Sequence, residues 1–315
     1  MKGQIIVTFY DDKKVLLTKK DTNVLKGSAT IMIMAAHLSY ILITYGSPLR
    51  FLKLVHKTGG GYGVLIFFFV SGYGLTKSVY IKRIYWRARI KKVIFPSVCL
   101  LLVFSIMIQV VDGNVNPMSI VKNLLGSAWF IDVIVLEYIF YSVVHKTTDE
   151  HLQLAVIILM NVMLAYSFEL IGLDERWYNA MLLFPTGIFM ARHEKEIIPI
   201  ISKRITGITS LMIFVILGVL ASILKGMMVA AFLKTIAGVG LAVAACSLLY
   251  KVCIHSFVLE YVGTRSLYYY IIHAELIILL NDWADDFTIL IVCMIIILTI
   301  ILSEICYRVF REKKN

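Results

Sequence analysis

Long apolar segments follow one another along nearly the whole chain, and they limit its possible folds more than any other feature. A helix needs about 20 apolar residues to cross the ~30 Å hydrocarbon core of a bilayer. The pattern predicts an all-α integral membrane protein with about ten transmembrane helices in one bundle. The apolar segments begin near Val24, Tyr62, Val93, Ser127, Leu152, Trp177, Thr206, Met227, Ser266 and Phe287.

The low charge content argues against a soluble fold. Charged residues make up 16% of the 315 residues and the mean hydropathy is +0.85, whereas soluble proteins carry about 25% charged residues. Length alone allows two soluble domains, but the apolar segments recur nearly end to end. We therefore expect a cytoplasmic N-terminal segment at residues 1–23, one membrane domain at residues 24–310 and a cytoplasmic tail at residues 311–315.

The first twenty residues do not have the pattern of a signal peptide. The run Asp-Asp-Lys-Lys at residues 11–14 interrupts any apolar segment of the kind that a signal peptide requires. The alternating apolar residues Ile5, Val7 and Phe9 predict a small hairpin with the following residues, or an interfacial segment.

Most of the 31 lysines and arginines fall on one side of the predicted membrane when the N-terminus is placed in the cytoplasm. Because cytoplasmic connections are enriched in these residues, the asymmetry predicts that both termini are cytoplasmic. It also explains the net charge of +11 without a nucleic-acid partner. Nucleic-acid binding is disfavoured since the basic residues lie beside apolar spans rather than on one soluble face.

Lys26 and His37 are the ionisable residues that mark the first predicted span. Their spacing of eleven residues is about three helical turns, so both side chains point to one face, about 16 Å apart along the axis. Lys26 then lies at the cytoplasmic rim and His37 lies deep in the membrane. Since a neutral imidazole can accept a proton near pH 7, His37 is either a general base or a structural histidine bonded to a neighbouring helix.

The second predicted span carries small residues at both ends. The glycine-rich run at residues 59–63 predicts a loop or a close backbone approach on the outer side. Ser71, which precedes Gly72, predicts close helix packing or a position in a substrate cavity.

A basic segment follows the second predicted span. Its residues fix the topology, bind anionic lipid headgroups, or hold a polyanionic cofactor such as CoA, because guanidinium groups pair well with phosphate. The basic residues are Lys77, Lys82, Arg83, Arg87, Arg89, Lys91 and Lys92.

Two later spans contain further candidate residues. Trp129 begins the fourth span, in which Asp132 and Glu137 indicate a polar cavity or a partner for His37 or Lys234. In the ninth span, the YxxxH at residues 269–273 places its Tyr and His on one helix face. There they either reach a cofactor near the cytoplasmic end or belong to an aromatic belt. The five cysteines have no metal-binding or disulfide pattern, so we expect no metal site.

Taken in order, these motifs resemble the acyltransferase 3 family of integral membrane acyltransferases, many of which O-acetylate cell-surface carbohydrates. Lys26 and His37 match the family's Arg or Lys, ten residues and then His. Residues 68–75 look like its FFxxSGxxL-like stretch.

The resemblance continues through the rest of the chain. Residues 89–96 are similar to the family's RxxR-type motif followed by Ile or Leu and Pro, with Lys92 in place of the second Arg. Trp129 and the following Phe match the start of a middle helix, and Tyr269 with His273 match its YxxxH.

This resemblance implies that acyl-CoA is a donor substrate entering from the cytoplasm, with no tightly bound cofactor. His37 would activate the acceptor hydroxyl or carry a transient acyl group, and Lys26 would hold the donor or orient the pore. The acceptor would be a cell-surface or lipid-linked carbohydrate, the acyl group acetyl, and the location a bacterial plasma membrane. The residues that would contact the donor are Arg83, Arg87, Arg89, Lys92, Tyr269 and His273.

Two other functions remain open from the residues. Asp132, Glu137 and Glu169 suit a proton-coupled transporter or flippase for a glycan or small solute, although no internal repeat is evident. A structural scaffold would leave the Lys26/His37 and Tyr269/His273 pairs without a purpose. Dependence on acyl-CoA separates the enzyme from the transporter.

Overall fold

A computed structural model describes residues 6–9, 13–78, 85–113, 115–124, 126, 129–144, 149–224 and 228–311. A π-helical turn occupies Ile90–Ile94, and short 3-10 turns occupy Glu175–Trp177 and Asn281–Trp283. The two strands of the described chain are β1, Ile6–Phe9, and β2, Val252–His255. The helices are α1 Lys19–Thr44, α2 Arg50–Ser78, α3 Tyr85–Arg89, α4 Phe95–Val111, α5 Pro117–Leu124, α6 Trp129–Val144, α7 Glu150–Leu170, α8 Leu183–Arg192, α9 Glu194–Ile201, α10 Arg204–Ile223, α11 Met228–Lys251, α12 Phe257–Thr264, α13 Ser266–Leu280 and α14 Ala284–Phe310.

Seven helical segments of the described chain are long and apolar enough to cross a bilayer. Helices α5 and α6, which are bent by 61° at a short break, give an eighth candidate if they form one broken span. The predicted all-α membrane fold is therefore confirmed. The seven segments are Lys19–Thr44, Arg50–Ser78, Trp86–Val111, Glu150–Leu170, Arg204–Ile223, Met228–Lys251 and Phe287–Phe310.

Short helices account for the difference from the ten predicted spans. The spans expected near Trp177 and Ser266 correspond to α8, with 10 residues, and α13, with 15 residues. Each is shorter than the roughly 20 residues that a full crossing requires. The 3-10 turn at Glu175–Trp177 precedes α8, so the apolar run there is not one continuous helix.

The chain forms two compact units, each assembled from three separate stretches of sequence. The first unit contains Met1–Gly27, Val64–Tyr80 and Leu136–Tyr261. The second unit contains Ser28–Gly63, Ile81–Val135 and Val262–Asn315. Helices α1, α2, α6 and α12 each contribute residues to both units.

Close packing of α2 against α8 builds the core of the first unit. A Cβ added to Gly72 would lie 2.1 Å from the carbonyl oxygen of Phe184, and one added to Gly187 would lie 2.2 Å from that of Phe69. Such contacts are impossible for a side chain, so glycine is required at both positions for the two backbones to meet. The close helix packing that the small residues Ser71 and Gly72 predicted is thereby confirmed at Gly72.

The N-terminal strand has a distant partner. Strand β1 pairs antiparallel with β2, and Ile6 lies opposite His255. The prediction of a local hairpin was therefore wrong. Lys13, which follows β1, instead forms a buried ion pair with Asp21 at 2.7 Å and donates to the carbonyl of Leu249 at 2.7 Å.

A carboxylate on α9 holds the segment that follows Lys13. Glu194 Oε1 accepts from the Leu16 amide at 2.5 Å and from the Tyr73 hydroxyl at 2.7 Å. Glu194 also forms an ion pair with Lys77. Tyr73 in turn accepts from the amide of Leu17 at 3.2 Å. These contacts within the first unit satisfy backbone groups that no strand or helix pairs.

In the second unit, the glycine-rich run brings α1 and α2 together. Residues 59–63 are helical, so of the two predicted alternatives the loop is excluded. The close approach is confirmed, because a Cβ on Gly63 would lie 2.7 Å from Ile33 Cγ1 and one on Gly59 would lie 2.7 Å from the Met32 carbonyl. Helix α13 packs against both α4 and α14 in the same unit.

Candidate active site

Two histidines from distant parts of the sequence meet inside the second unit. His37 on α1 and His273 on α13 are 236 residues apart, and His37 Nδ1 lies 3.0 Å from His273 Nε2. Their ring centroids are 5.2 Å apart and the ring planes differ by 20°. His273 is fully buried, whereas His37 is partly exposed. The sequence left His273 as a cofactor contact or part of an aromatic belt, and the family resemblance implied contact with the donor. The structure places His273 against His37.

The hydrogen bonds give this pair a direction. His273 Nδ1 lies 2.6 Å from the carbonyl oxygen of Tyr269, and a carbonyl only accepts, so His273 Nδ1 carries the proton. In a neutral His273 ring, Nε2 is then the acceptor. His37 Nδ1 must donate to it, which leaves the lone pair of a neutral His37 on Nε2. This tautomer is inferred from the hydrogen-bond partners.

Gly60 lies beside the nitrogen that carries this lone pair. A Cβ added to Gly60 would lie 4.0 Å from His37 Nε2 and 3.6 Å from Ala36 Cβ. The missing side chain therefore leaves room next to Nε2. On the far side of the pair, α13 itself fixes the His273 ring. His273 lies one helical turn after Tyr269, so its Nδ1 donates to the Tyr269 carbonyl.

An aromatic chain extends from His273 to the start of α6. Tyr270 lies edge-on to His273 with centroids 6.1 Å apart, and Phe130 lies 5.1 Å from Tyr270. Trp129 adjoins Phe130 at 6.5 Å. The Trp-Phe motif thus reaches the histidine pair through Tyr270. Asp132, one turn along α6, has a buried Oδ2 atom with no hydrogen-bond partner among the described residues.

The basic segment lies at the start of α4 in the same unit. Arg87 and Arg89 are on α3, and Lys92 is exposed in the π-helical turn. A π-helical turn is rare and often marks a functional position. Arg83, also predicted to bind the donor, lies outside the described residues. The segment therefore presents positive charge where α4 begins.

Other predicted site residues belong to the first unit. Lys26 is partly buried on α1, and Ser71 lies on α2 beside the close contact with α8. Glu137 is buried and accepts from Asn161 Nδ2 at 3.1 Å.

One residue that the sequence offered as a partner for the acids of α6 pairs elsewhere. Lys234 lies 3.6 Å from Glu175, so its partner is neither Asp132 nor Glu137. Glu137 and Glu169 belong to the first unit and Asp132 to the second.

Sequence reasoning did not foresee that Gly60 lies beside His37 or that Tyr270 connects Phe130 with His273. The spacing of Tyr270 three residues before His273 was a usable signal, since such residues are neighbours on a helix. Gly60 carried no comparable signal, because its proximity to His37 depends on how α1 packs against α2. No group of three or more metal-ligating side chains occurs in the part of the chain that the structure describes.

The family model described as an acyltransferase domain, that of the acyltransferase 3 family, matches residues 20–308. The chain belongs to the acyltransferase 3 family. No curated protein and no solved structure matches it. Membership confirms the resemblance seen in the motifs. Together with the apolar helices, it makes this chain a multi-pass membrane acyltransferase and fits a lipid bilayer, an acyl donor and an acyl acceptor.

Within an acyltransferase, the histidine pair has the arrangement that proton transfer requires. One imidazole nitrogen carries a lone pair, and the other is fixed by a hydrogen bond to an oriented partner. The matched region includes His37, Gly60, Trp129 and His273, so every residue of the pair and its surroundings lies inside the family domain.

Proposed function

We propose that this membrane acyltransferase transfers an acyl group, acetyl by family resemblance, from acyl-CoA to a hydroxyl of a cell-surface or lipid-linked carbohydrate. The observation that carries the proposal is the chain of hydrogen bonds from the Tyr269 carbonyl through His273 to His37. The basic residues along the spans support a topology with both termini in the cytoplasm, and the membrane is, by family resemblance, the bacterial plasma membrane. The donor then enters from the cytoplasmic side.

His37 acts as the general base in this reaction. Its Nε2 takes the proton of the acceptor hydroxyl while the hydroxyl oxygen attacks the thioester carbonyl. The carbon–sulfur bond then breaks, the CoA thiolate leaves, and the proton on His37 is returned to that sulfur. The products are an O-acyl ester and free CoA, so atoms and charge balance.

His273 positions His37 and stabilises the imidazolium that forms during attack. Its Nε2 accepts from His37 Nδ1, so the positive charge that develops on His37 faces a hydrogen-bond acceptor. The Tyr269 carbonyl fixes the His273 tautomer in the same way. A base held in this manner contributes about 10²–10⁴-fold to the rate.

Arg87, Arg89 and Lys92 hold the phosphate groups of CoA through charge-assisted hydrogen bonds. Gly60 leaves space beside His37 Nε2 for the acceptor hydroxyl.

The test combines donor binding with turnover in purified protein reconstituted in lipid nanodiscs. Acetyl-CoA and CoA are expected to raise the thermal midpoint of the parent protein, because a ligand that binds only the folded state stabilises it. Arg89→Ala and Lys92→Ala should weaken this response. Release of free CoA thiol should require added membrane-derived glycan.

The matched control is the pair Lys203→Ala and Arg204→Ala, which removes exposed basic residues at the start of α10. This variant should respond to CoA as the parent does. A folded parent protein with no midpoint shift at saturating CoA and no thiol release would overturn the proposal. It would then favour the transporter hypothesis.

A further inference from the structure

An arginine cluster forms at the C-terminal end of α14, outside the histidine pair. Glu304 Oε2 lies 2.6 Å from Arg265 Nε, and Glu304 Oε1 lies 2.6 Å from Arg308 Nε. One carboxylate thus holds two guanidinium groups, one from the N-terminal cap of α13 and one from α14. Because a single acid faces two cations here, the group keeps a net positive charge.

The ring of Tyr307 contacts Arg265 and also a third arginine, Arg311. Arg265 Cζ lies 4.1 Å from the ring centroid of Tyr307, and Arg311 Cζ lies 5.6 Å from it. Both distances are within the range of cation–π attraction. Arg308 is highly exposed, with 76% of its side chain accessible, and Arg311 is also exposed. We name Arg265, Arg308 and Arg311 the arginine cluster.

Aromatic contacts connect the arginine cluster to the basic segment before α4. Phe310 lies edge-on to Phe95 at 5.9 Å, and it stacks on Tyr268 at 6.2 Å. Phe95 directly follows the π-helical turn that contains Lys91 and Lys92. The two lysines and the arginine cluster therefore lie at the same end of the second unit.

Exposed apolar side chains run along the helices away from these cations. On α4 they are Phe95, Val98 and Leu102, spaced three and four residues apart and thus on one face. On α14 the exposed residues Ile301, Ile305 and Val309 have four-residue spacing. Both helices form part of full-length candidate spans, so these faces contact acyl chains.

We propose that the arginine cluster, with Lys91, binds the phosphate group of an anionic phospholipid. The acyl chains of that lipid lie along the exposed faces of α4 and α14. The cations match the negative phosphate group of such a lipid, and the neighbouring apolar side chains match its acyl chains. Guanidinium groups suit phosphate oxygens because they offer paired donors in a plane.

The choice of lipid over the phosphates of CoA follows from exposure. Arg308 is flanked on α14 by Ile305 and Val309, whose exposed fractions are 52% and 70%. Because Ile305 and Val309 face the bilayer, Arg308 lies where lipid headgroups are available to it, next to the acyl chains that cover these two side chains. The lipid site does not depend on the acyl-transfer proposal.

The experiment compares thermal midpoints in nanodiscs of phosphatidylcholine alone and with about one-third phosphatidylglycerol. The parent protein should gain several degrees in the anionic nanodiscs, and the gain should shrink in high salt because exposed charges are screened. Arg308→Ala/Arg311→Ala should lose at least half of that gain. The control Lys203→Ala/Arg204→Ala should keep it.

A second measurement covers the case in which the alanine variant does not fold. Native mass spectrometry of the Arg308→Gln/Arg311→Gln variant should show fewer retained phosphatidylglycerol molecules than the parent.

Equal retention, or an unchanged midpoint gain in the alanine variant, would overturn the proposal. The proposal would also be overturned if Arg308→Ala/Arg311→Ala lost the midpoint shift with CoA but kept the gain with phosphatidylglycerol. That result would assign the arginines to the donor. The parent's own CoA response reports on acyl transfer separately.

Discussion

The two compact units contain polar networks of opposite character. In the second unit, His37, His273 and the Tyr269 carbonyl form a linear chain of neutral groups. In the first unit, Glu194 receives bonds from Lys77, Tyr73 and a backbone amide, so a charged group is surrounded by donors. In the histidine chain, His37 Nε2 keeps a lone pair that can take up a proton. The Glu194 carboxylate already accepts from three donors.

This difference distinguishes a network suited to chemistry from one suited to anchoring. Protonation of Glu194 would weaken its bonds with all three donors and so destabilise the fold. Glu194 therefore serves to fix the N-terminal segment on α2 and α9. The histidine chain can gain a proton at one end without breaking its other hydrogen bonds. We therefore expect changes in the histidine chain to affect rate and changes at Glu194 to affect stability.

The largest expected effect is the loss of activity in His37→Ala. Removing the base should lower kcat by about 10²–10⁴-fold, because no other group then takes the hydroxyl proton. The thermal midpoint should change little, since His37 is partly exposed. Steady-state CoA release and thermal unfolding measure the two quantities. Full activity in folded His37→Ala protein would remove His37 from the mechanism.

His273→Ala should have the next largest effect on rate. Without its acceptor, the His37 ring loses its fixed orientation, and such misplacement costs about 10–10²-fold in kcat. The pH profile of kcat should shift as well, because the partner of His37 Nδ1 is lost. Tyr269→Phe is the control for the backbone contact, since it keeps the carbonyl that His273 uses. A parent-like pH profile in His273→Ala would argue for a merely structural role.

Two neighbouring glycines of α2 should respond in opposite ways to alanine. In Gly63→Ala the new Cβ meets Ile33 Cγ1 at 2.7 Å and the Ala29 carbonyl at 2.8 Å, so we expect a loss of about 1–3 kcal/mol from overpacking. In Gly60→Ala the Cβ fits, and the helix gains about 0.5–1 kcal/mol over glycine. Its methyl group should nevertheless slow transfer several-fold by crowding His37 Nε2.

Thermal unfolding and CoA release, measured on both glycine variants, test this contrast. A destabilised Gly60→Ala protein would show that the space beside His37 is smaller than the backbone positions indicate. Parent-like transfer by Gly60→Ala would show that the acceptor approaches from elsewhere.

The smallest expected effect concerns the pH dependence of stability at Glu194. Partial burial raises the pKa of this carboxyl, but hydrogen bonds from Lys77, Tyr73 and the Leu16 amide outweigh it and hold the pKa below its ordinary value. Its stabilisation is therefore present at neutral pH and is lost as the pH falls below about 4. Glu194→Gln should be less stable than the parent by about 1–2 kcal/mol at pH 7. Its free energy of unfolding should also depend less on pH below pH 5.

Unfolding of the parent and Glu194→Gln proteins from pH 7 to pH 3 measures this dependence. The difference between them should disappear at the acid end. A difference that stayed constant through pH 3 would contradict the lowered pKa.

Much of the membrane fold could be predicted because its signals are local. Runs of apolar residues located most of the long helices, and the close approach at Gly63 was foreseen from a glycine-rich run. The extra spans came from α8 and α13, where an apolar run is interrupted or too short for a full helix. For the N-terminal strand, a local hairpin was one of two alternatives, because sequence alone does not reveal pairing with β2.

The candidate site was predicted in its members but not in its arrangement. Spacing placed Tyr269 and His273 on one face of a helix, and membrane burial drew attention to His37. Nothing in the spacing indicated that His37 and His273 would be in contact, nor that Gly60 would lie beside them. The arginine cluster was likewise scattered through the sequence at Arg265, Arg308 and Arg311.

By itself, the sequence determined that this protein is an all-α membrane protein of the acyltransferase 3 family. Hydropathy and motif order are properties of consecutive residues, so they need no knowledge of the fold. Only the tertiary structure decided that His37 faces His273, which direction their hydrogen bonds take, and which cations share one end of a unit. Those contacts join residues up to 236 positions apart, and they depend on how helices pack rather than on what each helix contains.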